Sequence, residues 1–278
     1  MKFIKMQGCG NDYVYMNCTE DEIINAAELA VKISDRHFGV GSDGLILIKS
    51  SDKADFFMDM YNNDGSRGKM CGNGIRCVAK YVYDYGLTDK EQLKIETLSG
   101  IRTLELMIED AKVSSVTVDM GFPVLTPERI PVVSDKDRIV NEPVVIGEKE
   151  YNITCISMGN PHVVIFVKDT DAFPVETIGP LFENNLLFPE RVNTEFVQVV
   201  DRNHIKMRVW ERGSGETLAC GTGACASAVA CILNELTEDE VRVSLLGGDL
   251  NIRYDRDNNK VYMTGPAVTV FEGEWRNI

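Results

Sequence analysis

Two stretches, Cys71-Gly72-Asn73-Gly74 and Cys220-Gly221-Thr222-Gly223, set the plan of this chain. Each precedes a segment whose apolar residues recur with helical spacing, and residues 224–233 are apolar on nearly every face. After the first stretch the apolar positions are Ile75, Val78, Ala79 and Val82. The pattern predicts two helices, the first amphipathic and the second buried, each with a cysteine at its N-terminal end.

The two cysteines lie 149 residues apart, and other landmarks keep that offset. Gly10-Asn11 corresponds to Gly159-Asn160, and Asn62 corresponds to Glu211. A constant offset of this length predicts two copies of one structural unit. Four of the nine prolines lie between residues 123 and 143, where we expect the chain to cross from one copy to the other.

Composition restricts the classes of function. The chain has 278 residues, 44% of them apolar, with a net charge of −14 and a pI near 4.7, which argues against nucleic acid and anionic membranes as partners. No apolar run approaches the ~18 residues of a membrane span, and residues 1–20 contain no continuous apolar segment. The eight cysteines are therefore expected to be reduced thiols in a soluble, cytoplasmic protein.

The first fifty residues contain two local signals that need interpretation. Thr19-x-x-Glu22 has the pattern of a capping box and predicts a helix that begins there and stops near Gly39, with Ile23, Ala27, Ala30 and Val31 on one face. Residues 39–44 match G-x-G-x-x-G, but they follow a helix and enter the apolar strand Leu45–Ile48. A dinucleotide site requires the opposite order, so we interpret this stretch as a turn.

Helix N-termini attract carboxylates, and their field favours the thiolate of a nearby cysteine. Glycines beside each cysteine would let a ligand approach the backbone. Two such thiols on opposite faces of one carbon suit stereoinversion, because one removes the Cα proton and the other returns a proton to the other face. Five of the other cysteines, Cys18, Cys77, Cys155, Cys225 and Cys231, are interpreted as core residues.

The ordered set of motifs resembles the diaminopimelate epimerases, amino-acid epimerases that work without pyridoxal phosphate and use two catalytic cysteines. The resemblance covers nearly the whole chain. It is carried by Gly10-Asn11-Asp12, Asn62-x-Asp64-Gly65-Ser66, Cys71-Gly72-Asn73-Gly74-x-Arg76-Cys77, Gly159-Asn160-Pro161-His162, Asn193-Thr194-Glu195, Glu211-Arg212-Gly213-x-Gly215-Glu216-Thr217 and Ala219-Cys220-Gly221-Thr222-Gly223.

The resemblance implies an α/β fold of the α+β type with two pseudo-symmetric domains, each a mostly antiparallel sheet wrapped around a central helix. The implied domains are residues 1–120 with 267–278, and residues 121–266. The resemblance also implies a homodimer, no cofactor, no metal, and diaminopimelate as the small-molecule substrate.

Site residues follow from the resemblance position by position. Cys71 and Cys220 would be the acid/base pair, and His162 and Glu211 would support the thiols. The implied substrate-binding set is Asn11, Asn62, Gly72, Asn73, Asn160, Asn193, Glu211, Arg212, Gly221 and Thr222. One position departs from the family: Gly44 stands where a substrate-contacting glutamine can occur, so any contact there would come from backbone or water.

Three alternatives remain open from the residues alone. A zinc site would use the cysteine pairs Cys71/Cys77 and Cys220/Cys225, although the C-x2-C spacing is missing and the chain has only three histidines. A thiol–disulfide oxidoreductase would normally carry C-x-x-C, which is absent. A racemase of the same fold with another amino acid as substrate is the closest rival, and Arg212 favours a substrate with a second charged end.

Overall fold

The computed structural model describes residues 1–276, which form two compact units. The first unit is Met1–Asp119 with the C-terminal segment from Thr264, and the second is Met120–Met263. The predicted domain limits at residues 120 and 267 stay a prediction, and residues 277 and 278 of the first predicted domain lie outside the described part of the chain.

Strands dominate both units, with two α-helices in each among the described residues. In chain order the elements are β1 (Lys2–Gly8), β2 (Asn11–Cys18), α1 (Ala26–Ser34), β3 (Gly44–Lys49), β4 (Phe56–Asn62), β5 (Arg67–Gly68), α2 (Gly72–Asp84), β6 (Gln92–Thr97), β7 (Gly100–Glu109), β8 (Lys112–Gly121), β9 (Glu142–Ile146), β10 (Lys149–Ser157), β11 (Pro161–Phe166), α3 (Val175–Glu183), β12 (Asn193–Asp201), β13 (His204–Glu211), β14 (Gly215–Thr217), α4 (Gly221–Leu233), β15 (Glu240–Leu245), β16 (Gly248–Asp255), β17 (Lys260–Pro266) and β18 (Val268–Glu274). A 3-10 turn spans Pro127–Arg129.

The two units repeat one topology. In the first, β1 and β2 are antiparallel, β2 and β3 are parallel across α1, and β3 and β4 are antiparallel. In the second, β10, β11, α3, β12 and β13 repeat these pairings in the same order. The short strands β5 and β14 then lead into α2 and α4. The predicted fold class is confirmed. The repeat seen in the sequence corresponds to one strand order that occurs in both units.

Strand register keeps the 149-residue offset. Tyr13 lies opposite Gly44 in the first unit, and His162 lies opposite Asn193 in the second. Tyr61 pairs with Arg67, and the residues 149 positions later, Trp210 and Glu216, also form a pair. Equivalent positions in the sequence therefore occupy equivalent strand positions in the two units.

The helices that follow the two cysteines are the central helices of their units. Residues 224–232 of α4 are all buried, and α4 packs against β10–β13, β15 and β16. Its many alanines and cysteines have short side chains, which lets strands pack around it on several sides. The prediction of a buried second helix is confirmed.

The first central helix differs from its prediction. An amphipathic α2 was expected, but most of its residues are buried, including Arg76, which has no exposed surface. The Arg76 guanidinium is satisfied internally, since it donates to the main-chain oxygens of Gly72 and Pro266, each at 3.1 Å. A buried charge is tolerated only with such partners. A hydrophobicity pattern counts every arginine as exposed, so it predicts the face of α2 that carries Arg76 incorrectly.

The first helix, α1, also begins later than predicted. Asn25 precedes it in the left-handed conformation and makes no side-chain cap, so the Thr19-x-x-Glu22 capping box is wrong. Thr19 instead hydrogen-bonds Asn17. The buried face consists of Ala26, Leu29, Ala30, Ile33 and Ser34. Of the residues predicted to share one helical face, Ala27 and Val31 are exposed, and Ile23 precedes the helix but packs against the core. The helix ends before the predicted stop at Gly39. Residues 39–43 are non-helical and lead into β3, which confirms the turn.

Candidate active site

Cys71 is the N-cap of α2 and lies in an extended conformation. Its sulfur accepts a hydrogen bond from the Gly74 main-chain N–H at 3.3 Å, and its thiol donates to the Asn11 side-chain oxygen at 3.1 Å. The thiol is half-buried. The first N–H groups of a helix have no partner within it, so Cys71 stands beside main-chain donors at Gly72 and Asn73, as the sequence predicted.

Asn11 is oriented by a carboxylate in the turn that leads into β3. Its amide nitrogen donates to Asp43 at 2.8 Å, which leaves its oxygen toward the Cys71 thiol. Asp43 also accepts the Asp12 main-chain N–H at 3.1 Å and pairs with Arg36 at 3.0 Å. Burial raises the pKa of Asp43. Burial opposes the charge of Asp12 too, but Arg36 and Lys5 outweigh it and hold the pKa of Asp12 below its usual range.

Asn62 ends β4 and lies opposite Gly44 on β3. Its side-chain nitrogen donates to the Ser66 hydroxyl at 2.9 Å, so in this state it braces the turn that leads to β5. A side chain at Gly44 would collide with the Tyr61 carbonyl, 2.1 Å from an ideal Cβ. The backbone of this chain therefore requires glycine at position 44.

Cys220 is the equivalent N-cap of α4, but its surroundings are more acidic and more enclosed. Its sulfur lies 3.5 Å from the Thr222 hydroxyl. Burial raises the pKa of the Cys220 thiol well above its ordinary value, and the charges of Glu211 and Glu195 act in the same direction. The expectation that a helix N-terminus would produce a thiolate is therefore wrong for Cys220, because desolvation and two carboxylates exceed the effect of the helix.

His162 lies on β11 with no exposed surface and makes two side-chain hydrogen bonds. Nδ1 lies 2.7 Å from Oε1 of Glu195, and Nε2 lies 2.9 Å from the side-chain oxygen of Asn160. An amide oxygen only accepts, so Nε2 donates and the Asn160 nitrogen remains as a donor. Burial raises the pKa of Glu195, although His162 opposes that rise.

The remaining predicted residues of the second unit surround this pair. Asn193 is buried, donates to the Pro161 oxygen at 3.1 Å and accepts the Arg212 main-chain N–H at 2.9 Å, so it joins three segments. Glu211 accepts the Thr217 hydroxyl at 2.5 Å. The Arg212 side chain donates to the Glu190 carbonyl at 2.8 Å, and no carboxylate within residues 1–276 forms an ion pair with it.

The glycines of both motifs have a packing role that the sequence did not indicate. An ideal Cβ at Gly74 would lie 2.8 Å from Cδ1 of Ile46, and one at Gly223 would lie 2.7 Å from Oε1 of Glu195. Ile46 and Glu195 are equivalent in the repeat, so each glycine lets its helix pack against the same strand position. The predicted reason for glycine at these positions is that a ligand must approach the backbone. Contact between helix and sheet is a second reason for glycine there.

Sequence reasoning missed three side chains of these clusters: Glu195, Asp43 and Tyr13. Glu195 follows Asn193 by two residues on one strand, so alternation alone places both on the same face. Asp43 lies in the stretch interpreted only as a turn. Tyr13 is 149 positions before His162, and the offset could have identified it.

The described residues bear on the zinc alternative and on the expectation that the chain has no membrane span. Over residues 1–276, His, Cys, Asp and Glu side chains nowhere form a group of three suited to a metal ion. Of the helices in that range, none has the length and apolar character needed to cross a membrane.

Comparison with known sequences gives one consistent family. A family model described as diaminopimelate epimerase matches residues 3–126 and 154–270, which include both Cys-Gly-x-Gly motifs. A protein named diaminopimelate epimerase from Acetivibrio thermocellus is 60% identical over 274 residues, covering 99% of this chain and 98% of the relative. One of the same name from Agathobacter rectalis is 58% identical and covers 99% of both chains.

Solved structures share the fold at low sequence identity. A Bacillus anthracis phenazine biosynthesis protein of the PhzF family has a TM-score of 0.71 at 18% identity and covers 100% of this chain and 99% of its own. A hydroxyproline epimerase from Agrobacterium vitis has a TM-score of 0.69 at 12% identity, covering 98% of this chain and 91% of its own. At these identities the similarity establishes the two-domain fold alone.

Proposed function

The chain belongs to the diaminopimelate epimerase family, and from this premise we propose that it interconverts LL- and meso-2,6-diaminopimelate without a cofactor. The observation that carries the proposal is the match to relatives of that name at 58–60% identity over nearly the full length of both chains. The reaction would serve the biosynthesis of lysine and of peptidoglycan precursors. Such a reaction inverts one Cα and leaves the other unchanged.

We propose that Cys71 and Cys220 are the two bases. In one direction the Cys71 thiolate takes the Cα proton, and the Cys220 thiol donates a proton to the opposite face. Cys71 then carries a proton and Cys220 is a thiolate, so the reverse reaction uses the same pair with the roles exchanged. The raised pKa of Cys220 supports its place as the initial acid, because the group holds its proton before the reaction.

The surrounding groups support this assignment. Main-chain N–H groups at Gly72, Asn73, Gly221 and Thr222 would stabilise the negative charge that develops on the reacting carboxylate. Asn160 presents its amide nitrogen because His162 holds its oxygen. Asn11 presents its oxygen because Asp43 holds its nitrogen. The asparagines are thus prepared to offer opposite ends to a substrate that carries both ammonium and carboxylate groups.

Epimerisation in deuterated water tests the function. Purified protein given LL-diaminopimelate and a chelator, with no pyridoxal phosphate added, is expected to form the meso isomer and to introduce deuterium at Cα. Chiral chromatography and mass spectrometry measure the two products. Activity that appears only after pyridoxal phosphate or a metal is added would contradict the proposal.

A panel of amino acids in the same assay tests the substrate. Arg212 lacks a carboxylate partner among the described residues, so we propose that it binds the distal carboxylate of the substrate. Lysine, which lacks that carboxylate, should show a kcat/KM at least ~10²-fold lower, since buried polar groups then stay unpaired. The difference should shrink in Arg212→Ala, and equal turnover of lysine by the unchanged protein would refute the assignment.

We also propose a cytoplasmic homodimer. The cytoplasm suits the proposed mechanism because its reducing conditions keep Cys71 and Cys220 from forming disulfides. Val268, Val270 and Phe271 are exposed apolar residues on β18, and an apolar surface of this kind suits a subunit interface.

Light scattering should give about twice the chain mass of 31.0 kDa. Val270→Glu should reduce it to the mass of one chain, whereas Val145→Glu, at an exposed valine of the other unit, should leave it unchanged. A single-chain mass for the unchanged protein would contradict the dimer.

A further inference from the structure

Three side chains of β2 face the N-terminal end of α2. Strand alternation puts Asn11, Tyr13 and Tyr15 on one face. The first contacts the Cys71 thiol at 3.1 Å, and the third donates to the Gly74 main-chain oxygen at 3.4 Å. Tyr13 lies between them, so its ring is directed at the same turn of helix.

The Tyr13 ring is held in place by its neighbours. Tyr13 is 5% exposed and stacks edge-on against Tyr15, with ring centroids 6.5 Å apart. On the next strand it lies opposite Gly44, where an ideal Cβ would be 2.8 Å from the tyrosine ring. Glycine at position 44 therefore leaves the space that the ring occupies.

The phenol is a hydrogen-bond donor over the whole physiological pH range. Burial raises the pKa of Tyr13 well above its ordinary value, and the nearby Cys71 and Asp43 charges raise it further. Its hydroxyl interacts with the side chains of Cys71 and Asn11. The other groups near Cys71 are the Gly74 N–H and the buried Tyr15 and Cys77, whose own pKa values are raised by burial.

The repeat provides separate support for a role of the Tyr13 position. His162 occupies the equivalent place in the second unit, paired with Asn193 as Tyr13 is paired with Gly44. His162 hydrogen-bonds Asn160, and the position equivalent to Asn160 is Asn11. One strand position therefore contacts the asparagine of each half, with a phenol in the first and an imidazole in the second.

We propose that Tyr13 is a positioning residue for Cys71: the Tyr13 hydroxyl donates a hydrogen bond to the Cys71 sulfur, and this bond becomes stronger when the sulfur is a thiolate. A donor to the charged form favours that form. The first half would then favour its thiolate with a phenol, at the position where the second half has the His162–Glu195 pair. The catalytic meaning of this contact rests on the proposed function, but the contact itself does not.

The test measures the reactivity of Cys71 against pH. Wild type, Tyr13→Phe, Tyr13→His and Tyr15→Phe are alkylated with iodoacetamide from pH 6 to 10, and peptide mass spectrometry quantifies the modification of Cys71. Loss of one donor to a thiolate should move the midpoint of the Tyr13→Phe profile up by about half to one pH unit and reduce the rate at pH 7.5 about 3- to 10-fold. Tyr13→His retains an N–H donor and should recover part of that loss.

Tyr15→Phe is the matched control, because it removes a buried hydroxyl from the same face of β2 and should keep the wild-type midpoint. A Tyr13→Phe profile that superimposes on wild type overturns the inference, as does an equal shift in Tyr13→His and Tyr13→Phe, which would indicate packing alone. Alkylation needs no turnover, so these outcomes are separate from a failure of epimerisation in the wild type.

Discussion

Cys71→Ala and Cys220→Ala are each expected to lower kcat for epimerisation by roughly 10³-fold, the scale of a lost general acid or base. Either change removes one of the two proton carriers, and the remaining thiol cannot reach the opposite face of the carbon. The measurement is the rate of meso product from LL-diaminopimelate at saturating substrate.

A second reaction separates loss of chemistry from loss of structure. Elimination of a β-substituent needs a base on one face only, so each alanine variant should still release the leaving group from a β-substituted analogue of suitable configuration. Cys231→Ala is the matched control. Cys231 lies on α4, the helix that Cys220 caps, and is fully buried in the core. Normal epimerisation by either Cys71→Ala or Cys220→Ala would end the two-base proposal.

Mild oxidation is expected to abolish activity almost completely through a Cys71–Cys220 disulfide, with full recovery in dithiothreitol. The proposed mechanism requires both sulfurs to reach one carbon, at the roughly 3–3.5 Å of a near-attack geometry on each side. In the proposed mechanism, a modest closure without substrate would bring the two sulfurs near disulfide distance.

Peptide mapping identifies the bond, and bound diaminopimelate should protect against it. Cys71→Ala and Cys220→Ala should both lose the crosslink, while Cys231→Ala should retain it. Oxidation that inactivates the protein without joining these two cysteines would show that the thiols do not meet at one site.

The sequence predicted the repeated features well because helical periodicity and a constant offset can be read from the residues without knowing which segments contact each other. Both central helices and most strands lie where the pattern placed them. The 149-residue offset corresponds to strand register, as Tyr13 opposite Gly44 and His162 opposite Asn193 demonstrate.

Features that depend on contact between distant segments were not predictable in this way. Glu195 and His162 lie on adjacent strands, β12 and β11. Their hydrogen bond could be predicted only if the register between these strands were known. Burial of Arg76 depends on carbonyls of Gly72 and Pro266, and the latter is 190 residues away. At α1, the capping pattern of Thr19 was a local signal that the left-handed Asn25 overrode.

The replacement of Ile46 by Glu195 at equivalent points of the two units has a consequence for how such a chain can diverge. A repeated backbone that keeps its register can carry different interior residues in each copy, and here one copy has a carboxylate beneath its helix where the other has a hydrocarbon. The copies are therefore not exchangeable: Ile46→Glu would bury a charge with no histidine to pair with it, since Tyr13 occupies the position equivalent to His162. Diaminopimelate has two chemically alike ends, and a protein whose halves have become unlike can treat those ends differently.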